Sequence, residues 1–523
     1  MAAKTAFVLV PGLFTGGWIW RDLADRLRSA GAEAHPVTLP GGDVDLEAHI
    51  AEVLHVVDRI DTDADTVLVG HGYGIHPVLG AADRRADARP RRRVVHLDAG
   101  LPQNGDPALT LVPDQSLRER LTSEATRDAH LTPPGAGDGW SRYGSPAGLT
   151  PHDLDRLSRL ATPHPIRTLT QPLHLTGAVD TLPTTGVLCT ANGSSIALLQ
   201  HLVELGDPRL RALTEPRVTL FELDTGHWPM LSAPAELADV LLRAATGQGH
   251  RLRTTSTDSA TSTDSATSPD SASPPEPPAH LRPFLLDPPT PPRPRERTGR
   301  LELHLPDGGD GPAPAILFVH GGPLPPDVRP SPLDWPTLRG YGQHVAALGA
   351  VAATVHHRLH DLGAFGTAAG DVAEAVDRVR ADPRVDADRI ALWFLSGGGL
   401  LAADWLAAPP PWLRGIALTY PILAPLPNWG LSDSRFRPAA ALRTSRGTTP
   451  PIVLTRVGRE MPQIAETVTA FLSAAEQSGT TVDLIDLPDA PHGFETVHHT
   501  DPAREAVHRA AHTILHHLTT THP

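Results

Sequence analysis

Residues 247–297 have a composition that cannot build a packed core, and they divide the 523-residue chain into two long halves. The hexapeptide Thr-Ser-Thr-Asp-Ser-Ala begins at Thr255 and recurs twice, the last time with one proline, and two proline clusters follow. Such a segment has too few apolar side chains to offset the entropy of ordering it. We therefore predict a disordered linker at 247–297 between domains at 1–246 and 298–523, with a docking motif in the proline clusters as the alternative.

Both halves alternate short apolar runs with longer helical patterns. In the first half, residues 5–10 and 94–97 are typical of buried strands, and the apolar side chains of residues 45–60 recur with helical period. Strands that alternate with helices pack as a mostly parallel sheet covered by helices on both faces. The sequence therefore predicts an α/β fold class, with one such sheet in each half.

The second half contains a serine at a sharp turn between a strand and a helix. An apolar run at residues 390–394 meets Leu-Ser-Gly-Gly-Gly, in which the serine is Ser396, and an Ala/Leu-rich helical pattern follows. This arrangement is typical of a nucleophile elbow, in which a strained turn lifts the serine hydroxyl clear of the sheet edge. The alternative is a buried strand that continues into a glycine-rich loop.

An earlier strand of the same half ends in His-Gly-Gly-Pro, residues 320–323. Backbone amides after such a strand can point at the carbonyl oxygen of a substrate. We therefore predict that the amides of Gly322 and Gly397 form an oxyanion hole, whose donors match the charge that develops in the transition state.

An acid and a histidine follow Ser396 in the chain order that this fold predicts. Glu460 comes after a strand, and His492 lies in a later loop. His492 would take the serine proton during attack and return it to the leaving group, while Glu460 would orient the imidazole. Two residues depart from the usual pattern, because Glu460 stands where Asp is commoner and Phe394 stands where glycine usually begins the elbow. The sequence leaves open whether the larger Phe394 side chain crowds the turn, in which case the second half would be degenerate as well.

Residues 298–520 resemble the dienelactone-hydrolase and prolyl-oligopeptidase branch of the α/β-hydrolases. The resemblance is carried by the His-Gly-Gly-Pro run, the Ser396 elbow and Pro-His-Gly-Phe at 491–494. It implies a serine hydrolase that acts on an ester, thioester or lactone. Peptidase activity is less expected, since the similar peptidases usually carry a separate gating domain.

The first half resembles a small α/β-hydrolase domain over about its first 245 residues. In that family the elbow reads Gly-x-Ser-x-Gly, so Gly72 occupies the nucleophile position here and Tyr73 follows it. The motifs that carry the resemblance are Val8-Leu-Val-Pro-Gly, Gly70-His-Gly-Tyr-Gly and Asp224-Thr-Gly-His-Trp-Pro-Met.

The resemblance also implies the other members of this first site. His227 matches the family's base, Asp180 is expected to be its acid, and the amides of Leu13 and Phe14 are expected to serve an oxyanion hole. A glycine has no group that can attack a carbonyl, so no acyl-enzyme can form at Gly72.

Three interpretations of Gly72 stay open at this point. The first half is a degenerate enzyme kept as a scaffold, or it performs acid–base chemistry with His227 and no covalent step, as a lyase or cyclase would. The third is that the serine was replaced on purpose to trap a complex. Our leading hypothesis is a serine hydrolase at Ser396 with a hydrolytically inactive first half. The rival from another class is a chain in which neither site turns over and which acts as a binding or scaffold protein.

Composition excludes several classes of protein. The net charge is −14, which argues against a nucleic-acid partner. Cys189 is the only cysteine, so an intrachain disulfide and a cysteine-based metal site are excluded. The sequence lacks both an apolar run of membrane-spanning length and a signal-peptide pattern, which predicts a cytoplasmic protein with no membrane partner. We expect a small-molecule, ester-like substrate and no cofactor, and the sequence is compatible with a homo-oligomer.

The histidines near the C-terminus suggest a metal site as an alternative. His508, His512 and His516 fall four residues apart on one face of a helical pattern. Because no carboxylate or cysteine completes a ligand set, we predict a solvated helix face and no metal.

Overall fold

The chain forms two compact units, which a computed structural model describes. The described parts of Met1–Val203 and Pro208–Arg253 build most of the first unit, and those of Thr254–Pro425 and Asp433–Pro523 build most of the second. The structure describes residues 4–60, 64–86, 92–111, 115–123, 129–135, 138–204, 208–253, 281–284, 292–308, 311–326, 328–426, 429, 431 and 435–520.

The first unit is built on a six-stranded, wholly parallel sheet with the strand order β2-β1-β3-β4-β7-β8. A short antiparallel pair, β5 with β6, lies outside it. The strands are β1 (Thr5–Val10), β2 (Glu33–Pro36), β3 (Asp65–His71), β4 (Arg92–Leu97), β5 (His130–Leu131), β6 (His164–Pro165), β7 (Thr184–Cys189) and β8 (Val218–Leu223).

The helices that begin at Leu46 and Pro151 are each preceded by a residue whose side chain accepts from a free backbone amide of the first turn. The Asp45 carboxylate accepts from the Ala48 amide at 3.1 Å, and Thr150 and Asp153 form a reciprocal capping box. A Cβ built at Gly80 would lie 2.5 Å from Ile50 Cδ1, so glycine lets the helices that carry these two residues pack closely without moving the Ile50 side chain. The helices are α1 (Arg21–Ser29), α2 (Leu46–Val57), α3 (Ile75–Arg84), α4 (Gln115–Ser123), α5 (Pro151–Leu160), α6 (Arg167–Thr170), α7 (Ile196–Glu204), α8 (Pro229–Ser232) and α9 (Pro234–Ala245).

The second unit is built on an eight-stranded sheet with the order β16-β15-β14-β13-β11-β12-β10-β9. All neighbours are parallel except β10, which runs antiparallel to both β12 and β9. The strands are β9 (Arg295–Thr298), β10 (Leu301–His304), β11 (Ala313–Val319), β12 (Val351–Val355), β13 (Val385–Leu395), β14 (Leu413–Thr419), β15 (Ile452–Arg459) and β16 (Val482–Pro491).

Buried aromatic rings fix the middle of the second sheet. Trp393 contacts Phe318 and Tyr341 at ring-centroid distances of 5.2 and 5.3 Å, and its indole N–H donates to Thr419 Oγ1 at 2.8 Å. Because every polar atom of the indole is satisfied, this large side chain can lie wholly inside the core. It holds β13 two to three residues before the serine turn.

Helices cover this sheet as well. No helix in the described ranges combines the length and hydropathy that crossing a membrane requires. The helices are α10 (Pro336–Ala347), α11 (Phe365–Ala381), α12 (Ala402–Ala407), α13 (Pro438–Arg443), α14 (Pro462–Ser478), α15 (Phe494–Val497) and α16 (Asp501–Thr519).

Ordered chain extends into both ends of the segment predicted as a linker. His250 pairs with Leu220, Phe284 is fully buried, and β9 forms the edge strand of the second sheet. The arginine and glutamate residues at 295–298 give no apolar pattern from which this strand could be predicted, because an exposed edge strand carries charged side chains on both faces. The hexapeptide repeats lie outside the described residues.

Candidate active sites

The serine of the second unit lies at a strained turn. β13 ends at Leu395, Ser396 has a φ of 51°, and a 3₁₀ turn at Ser396–Leu401 leads into α12. An L-residue adopts this left-handed conformation only where the surrounding structure imposes it. A Cβ built at Gly397 would lie 2.2 Å from the Gly322 carbonyl oxygen, so the next residue must be glycine for the two loops to approach each other.

Three predicted residues come together at this turn. Ser396 Oγ lies 2.7 Å from His492 Nε2, and His492 Nδ1 lies 2.7 Å from Glu460 Oε2. A carboxylate can only accept, so Nδ1 carries the proton and the neutral ring presents a lone pair at Nε2 to the serine hydroxyl. The Met461 amide donates to the other Glu460 oxygen at 2.8 Å, which fixes the carboxylate. The arrangement can remove the serine proton during attack.

Phe394 does not disturb this geometry. Its side chain is fully buried between the neighbouring strands, and the 2.7 Å contact of Ser396 with His492 is retained. At the matching position of the first unit, a Cβ on Gly70 would lie 2.6 Å from Ile75 Cα, so glycine is required there. The 3₁₀ turn that begins at Ser396 has 6 residues, against 3 in the turn that begins at Gly72. Crowding of the turn by Phe394 is therefore absent.

The predicted oxyanion loop is held against the serine turn by a second histidine. His357 Nε2 donates to the His320 carbonyl at 2.9 Å, and the two rings stack at 3.8 Å. Burial lowers the pKa of His357 to about 4, so the ring stays neutral near pH 7. A Cβ built at Gly321 would lie 2.9 Å from Ser396 Cβ, which places the loop backbone directly beside the serine.

Replacing Gly397 with alanine is expected to lower kcat about 10²- to 10³-fold, since the new methyl group must push the Gly322 carbonyl and its loop away from the oxyanion position. Ester hydrolysis by the purified variant measures this loss. The matched control is Gly366→Ala on α11, where a Cβ would meet nothing within 4 Å and activity should be unchanged. Equal activity of the two variants would remove this loop from the site.

Two residues beneath His492 had no motif in the sequence. Tyr420 follows β14 with a φ of 34°, and its ring contacts the His492 ring at 4.9 Å. Glu495 is buried and accepts from the Tyr341 hydroxyl at 2.7 Å, and burial raises the pKa of its carboxyl group. Tyr420 therefore packs against the imidazole, and Glu495 lies in the buried polar cluster next to it. Their positions could have suggested them, since Tyr420 directly follows the strand after the elbow strand and Glu495 lies three residues after the histidine.

The first unit repeats the elbow without a nucleophile. β3 ends at His71, and Gly72 has a φ of 49°, close to that of Ser396. A Cβ built at Gly72 would lie 3.5 Å from His227 Nε2, so a serine here would have its hydroxyl within reach of the ring. His71 Nε2 donates to the His227 carbonyl at 2.7 Å and ties the base loop to the elbow. The structure therefore brings Gly72 and His227 together as predicted.

Asp98, and not Asp180, pairs with His227. The His227 Nδ1 atom lies 2.6 Å from Asp98 Oδ2. The same carboxylate accepts from Asn192 Nδ2 at 2.7 Å and from the Cys189 amide at 3.2 Å. Asp98 directly follows β4 and has a φ of 45°. Three donors therefore hold this buried carboxylate in position against the imidazole.

The prediction of Asp180 as the acid is corrected for a geometric reason. Its side chain is 70% exposed in a turn before β7, and its nearest cation is Arg217 at 3.8 Å. Only residues at the carboxyl ends of the strands reach the elbow, and Asp180 lies at the opposite, amino end of β7. The signal for Asp98 was available, since it comes directly after the strand that follows the elbow strand.

Leu13, Phe14 and Tyr73 line the same site. Phe14 has a φ of 64°, and its ring is held edge-on by Tyr143 at 4.9 Å. His49 Nε2 donates to a backbone carbonyl, so its Nδ1 accepts the Tyr73 hydroxyl at 2.8 Å. Tyr73 therefore turns its hydroxyl away from His227, and only its backbone amide is available to an oxyanion.

A cavity of about 370 Å³ opens at His227. Its walls are mainly leucine and aromatic side chains, among them Leu101, Leu131, Trp140 and Leu213, while Asp98, Asn192 and His227 supply polar groups. Such a cavity suits a small apolar ligand that carries few polar atoms.

The C-terminal histidines do not form a metal site in the described chain. His508 Nδ1 lies 2.9 Å from His344 Nε2, while His512 and His516 are exposed. Within the described ranges, no group of three His, Cys, Asp or Glu side chains is placed to hold a metal ion. The face predicted to be solvated is thus partly covered by α10.

The sequence of the chain is similar to a family profile and to a characterised relative. A sequence profile described as "Alpha/beta hydrolase family" matches residues 7–240. The chain is similar to a carbendazim hydrolyzing esterase of Nocardioides sp. (strain SG-4G), with 31% identity over 248 residues that cover 45% of this chain and 97% of the relative.

Two solved structures are similar at lower identity. A methylesterase from Arabidopsis has 20% identity and a TM-score of 0.36, over 47% of this chain and all of that one. A dipeptidyl peptidase 4 from Porphyromonas gingivalis has 14% identity and a TM-score of 0.36. The alignment with the peptidase covers 43% of this chain and 36% of the peptidase, so the chain spans about a third of that protein.

Proposed function

Because the chain is an enzyme of the alpha/beta hydrolase family, we propose that it hydrolyses a small-molecule carboxylic ester through an acyl-enzyme on Ser396. The observation that carries the proposal is the pair of 2.7 Å contacts that link Ser396 to His492 and His492 to Glu460. Thioesters and lactones present the same acyl carbon and belong to the same proposal. The similarity to an esterase covers 45% of this chain and supports an ester as the substrate class of the chain as a whole.

The geometry supports a two-step mechanism. As Ser396 attacks the acyl carbon, His492 takes its proton, and the amides of Gly322 and Gly397 stabilise the oxyanion. The protonated imidazole then gives its proton to the leaving alcohol, and Glu460 stabilises the charged ring. Water attacks the acyl-enzyme by the reverse proton path and releases the acid. The first unit forms no acyl-enzyme, since Gly72 has no hydroxyl group.

The proposal includes the domain organisation. We assign the two units to two hydrolase domains, the first running to Arg253 and the second including Phe284 and β9, and we assign the second domain to the dienelactone-hydrolase and prolyl-oligopeptidase branch. The order of Ser396, Glu460 and His492, which follow the parallel strands β13, β15 and β16, supports this assignment.

Labelling with a fluorophosphonate probe tests the proposed nucleophile. The intact protein should take up one equivalent of probe, which peptide mapping locates on Ser396, and Ser396→Ala should take up none. Ser473→Ala, an exposed serine on α14, is the matched control and should label normally. If the intact protein takes up no probe, or if Ser396→Ala still labels, the acyl-enzyme proposal fails.

A further inference from the structure

The first unit keeps a general base although it has no nucleophile. Asp98 holds the Nδ1 atom of His227 at 2.6 Å and is itself 2% exposed. Burying a carboxylate against an imidazole adds little stability, because the desolvation penalty offsets the attraction. The arrangement therefore has its main consequence at the opposite ring atom, Nε2, whose lone pair is set by the tautomer that Asp98 selects.

That lone pair points to the elbow. A Cβ on Gly72 would lie 3.5 Å from Nε2, and no described residue forms a hydrogen bond with this atom. Glycine thus leaves room beside the base for a molecule about the size of a hydroxyl group, such as water. A base within hydrogen-bond reach of a water molecule can take its proton as that water attacks.

The oxyanion loop is also preserved in the first unit. Phe14 adopts a left-handed backbone, and its carbonyl accepts from the Thr162 amide at 2.9 Å. In the described chain, the amides of Leu13 and Phe14 donate to no backbone carbonyl. A bulky residue keeps such a conformation only where its surroundings impose it, which is common at ligand-binding positions. Both residues line the cavity that opens at His227.

The cavity limits the substrate. Its volume is about 370 Å³, and leucine and aromatic side chains dominate its walls. The polar groups at the base are the His227 imidazole itself, the side-chain amide of Asn192 and the buried carboxylate of Asp98, which three donors already bind. Arg142 and Ser194 also line the cavity, which therefore suits a small ester with short apolar groups on both sides of the carbonyl.

We propose that the first unit hydrolyses small, mainly apolar esters by general-base catalysis, with water instead of serine as the nucleophile. His227 Nε2 takes a proton from water as the water oxygen bonds to the acyl carbon, and the amides of Leu13 and Phe14 bind the oxyanion. The bond from the acyl carbon to the alcohol oxygen then breaks, and His227 returns the proton to that oxygen. One ester and one water give one acid and one alcohol. This activity is independent of Ser396 and differs from the expectation that the first half is hydrolytically inactive.

The test uses the full chain carrying Ser396→Ala, so that only the first site remains. This protein should hydrolyse p-nitrophenyl butyrate above the buffer rate, without a burst and with a solvent deuterium isotope effect. Adding His227→Gln should lower kcat/KM about 10²- to 10⁴-fold and remove the isotope effect. Adding His55→Gln, an exposed histidine on α2, should change neither.

Equal rates for Ser396→Ala with and without His227→Gln would overturn the proposal, as would a rate no higher than that of buffer. Circular dichroism and thermal unfolding show whether His227→Gln folds. If His227→Gln does not fold, the solvent isotope effect and the absence of a burst in the Ser396→Ala protein test the proposal instead. Probe labelling of Ser396 in the intact protein reports separately on the second unit, so the two proposals can fail independently.

Discussion

Replacing His492 with alanine is expected to lower turnover at Ser396 about 10⁴- to 10⁶-fold, as removal of a member of a serine triad does in other hydrolases. The serine hydroxyl is a weak nucleophile, and here its one described partner able to accept the proton is the His492 Nε2 atom at 2.7 Å. The second-order rate of fluorophosphonate labelling measures the loss directly, because the probe reports only on an activated serine.

Glu460→Gln separates the role of the acid from that of the base. An amide can donate to Nδ1, which favours the wrong tautomer, and a loss of about 10⁴-fold is expected with the ring still in place. His498→Ala, at a histidine just after α15, is the matched control and should label at the normal rate. Labelling of His492→Ala within tenfold of the intact protein would contradict the assignment of the base.

Local signals explain what the sequence could predict. The pattern of an apolar strand, a glycine turn and a helix is set by residues that are neighbours in the sequence. Both elbows and the two mostly parallel sheets could therefore be predicted. The Ser396, Glu460 and His492 set could also be expected, because each residue directly follows a strand. The charged strand β9 could not be predicted, since its residues show no apolar alternation. It is a strand because it pairs with β10.

The acid of the first site could not be identified from local sequence patterns alone. In an open parallel sheet, the carboxyl ends of several strands lie at one edge, and a carboxylate on any of them can reach the same histidine. The first unit uses Asp98 after β4, the neighbour of the elbow strand, and places Asn192 after β7. The second unit places Tyr420 after the neighbour strand and Glu460 after the next one. Sheet order decides between these positions, and it is a property of the whole fold.

The same comparison shows that left-handed backbone marks both sites. Of the four non-glycine residues with positive φ in the described chain, Phe14 and Asp98 line the first site, and Ser396 and Tyr420 lie at the second. Strain of this kind persists only where packing imposes it. The first unit therefore keeps the backbone of an active site although it lacks the nucleophile.

Replacing Gly72 with serine in the Ser396→Ala protein is expected to create a covalent site where none exists. The backbone already has the φ that Ser396 adopts, 49° against 51°, and the new Cβ would lie at an ordinary contact distance of 3.5 Å from His227 Nε2. The serine hydroxyl would then reach a base that Asp98 already orients. We expect one equivalent of fluorophosphonate label at position 72 and a burst of p-nitrophenol from p-nitrophenyl butyrate.

Two matched substitutions decide what such a label would mean. Gly72→Ala adds the same Cβ without a hydroxyl group and should give no label. Gly31→Ser places a hydroxyl on another glycine of positive φ, 87°, with nothing within 4 Å, and should also remain unlabelled. Both share the cost of a left-handed L-residue, about 1–2 kcal/mol, so their melting temperatures control for stability. A folded Gly72→Ser protein without label would mean that the His227–Asp98 pair cannot activate a hydroxyl, and water activation by His227 would then lose its chemical basis.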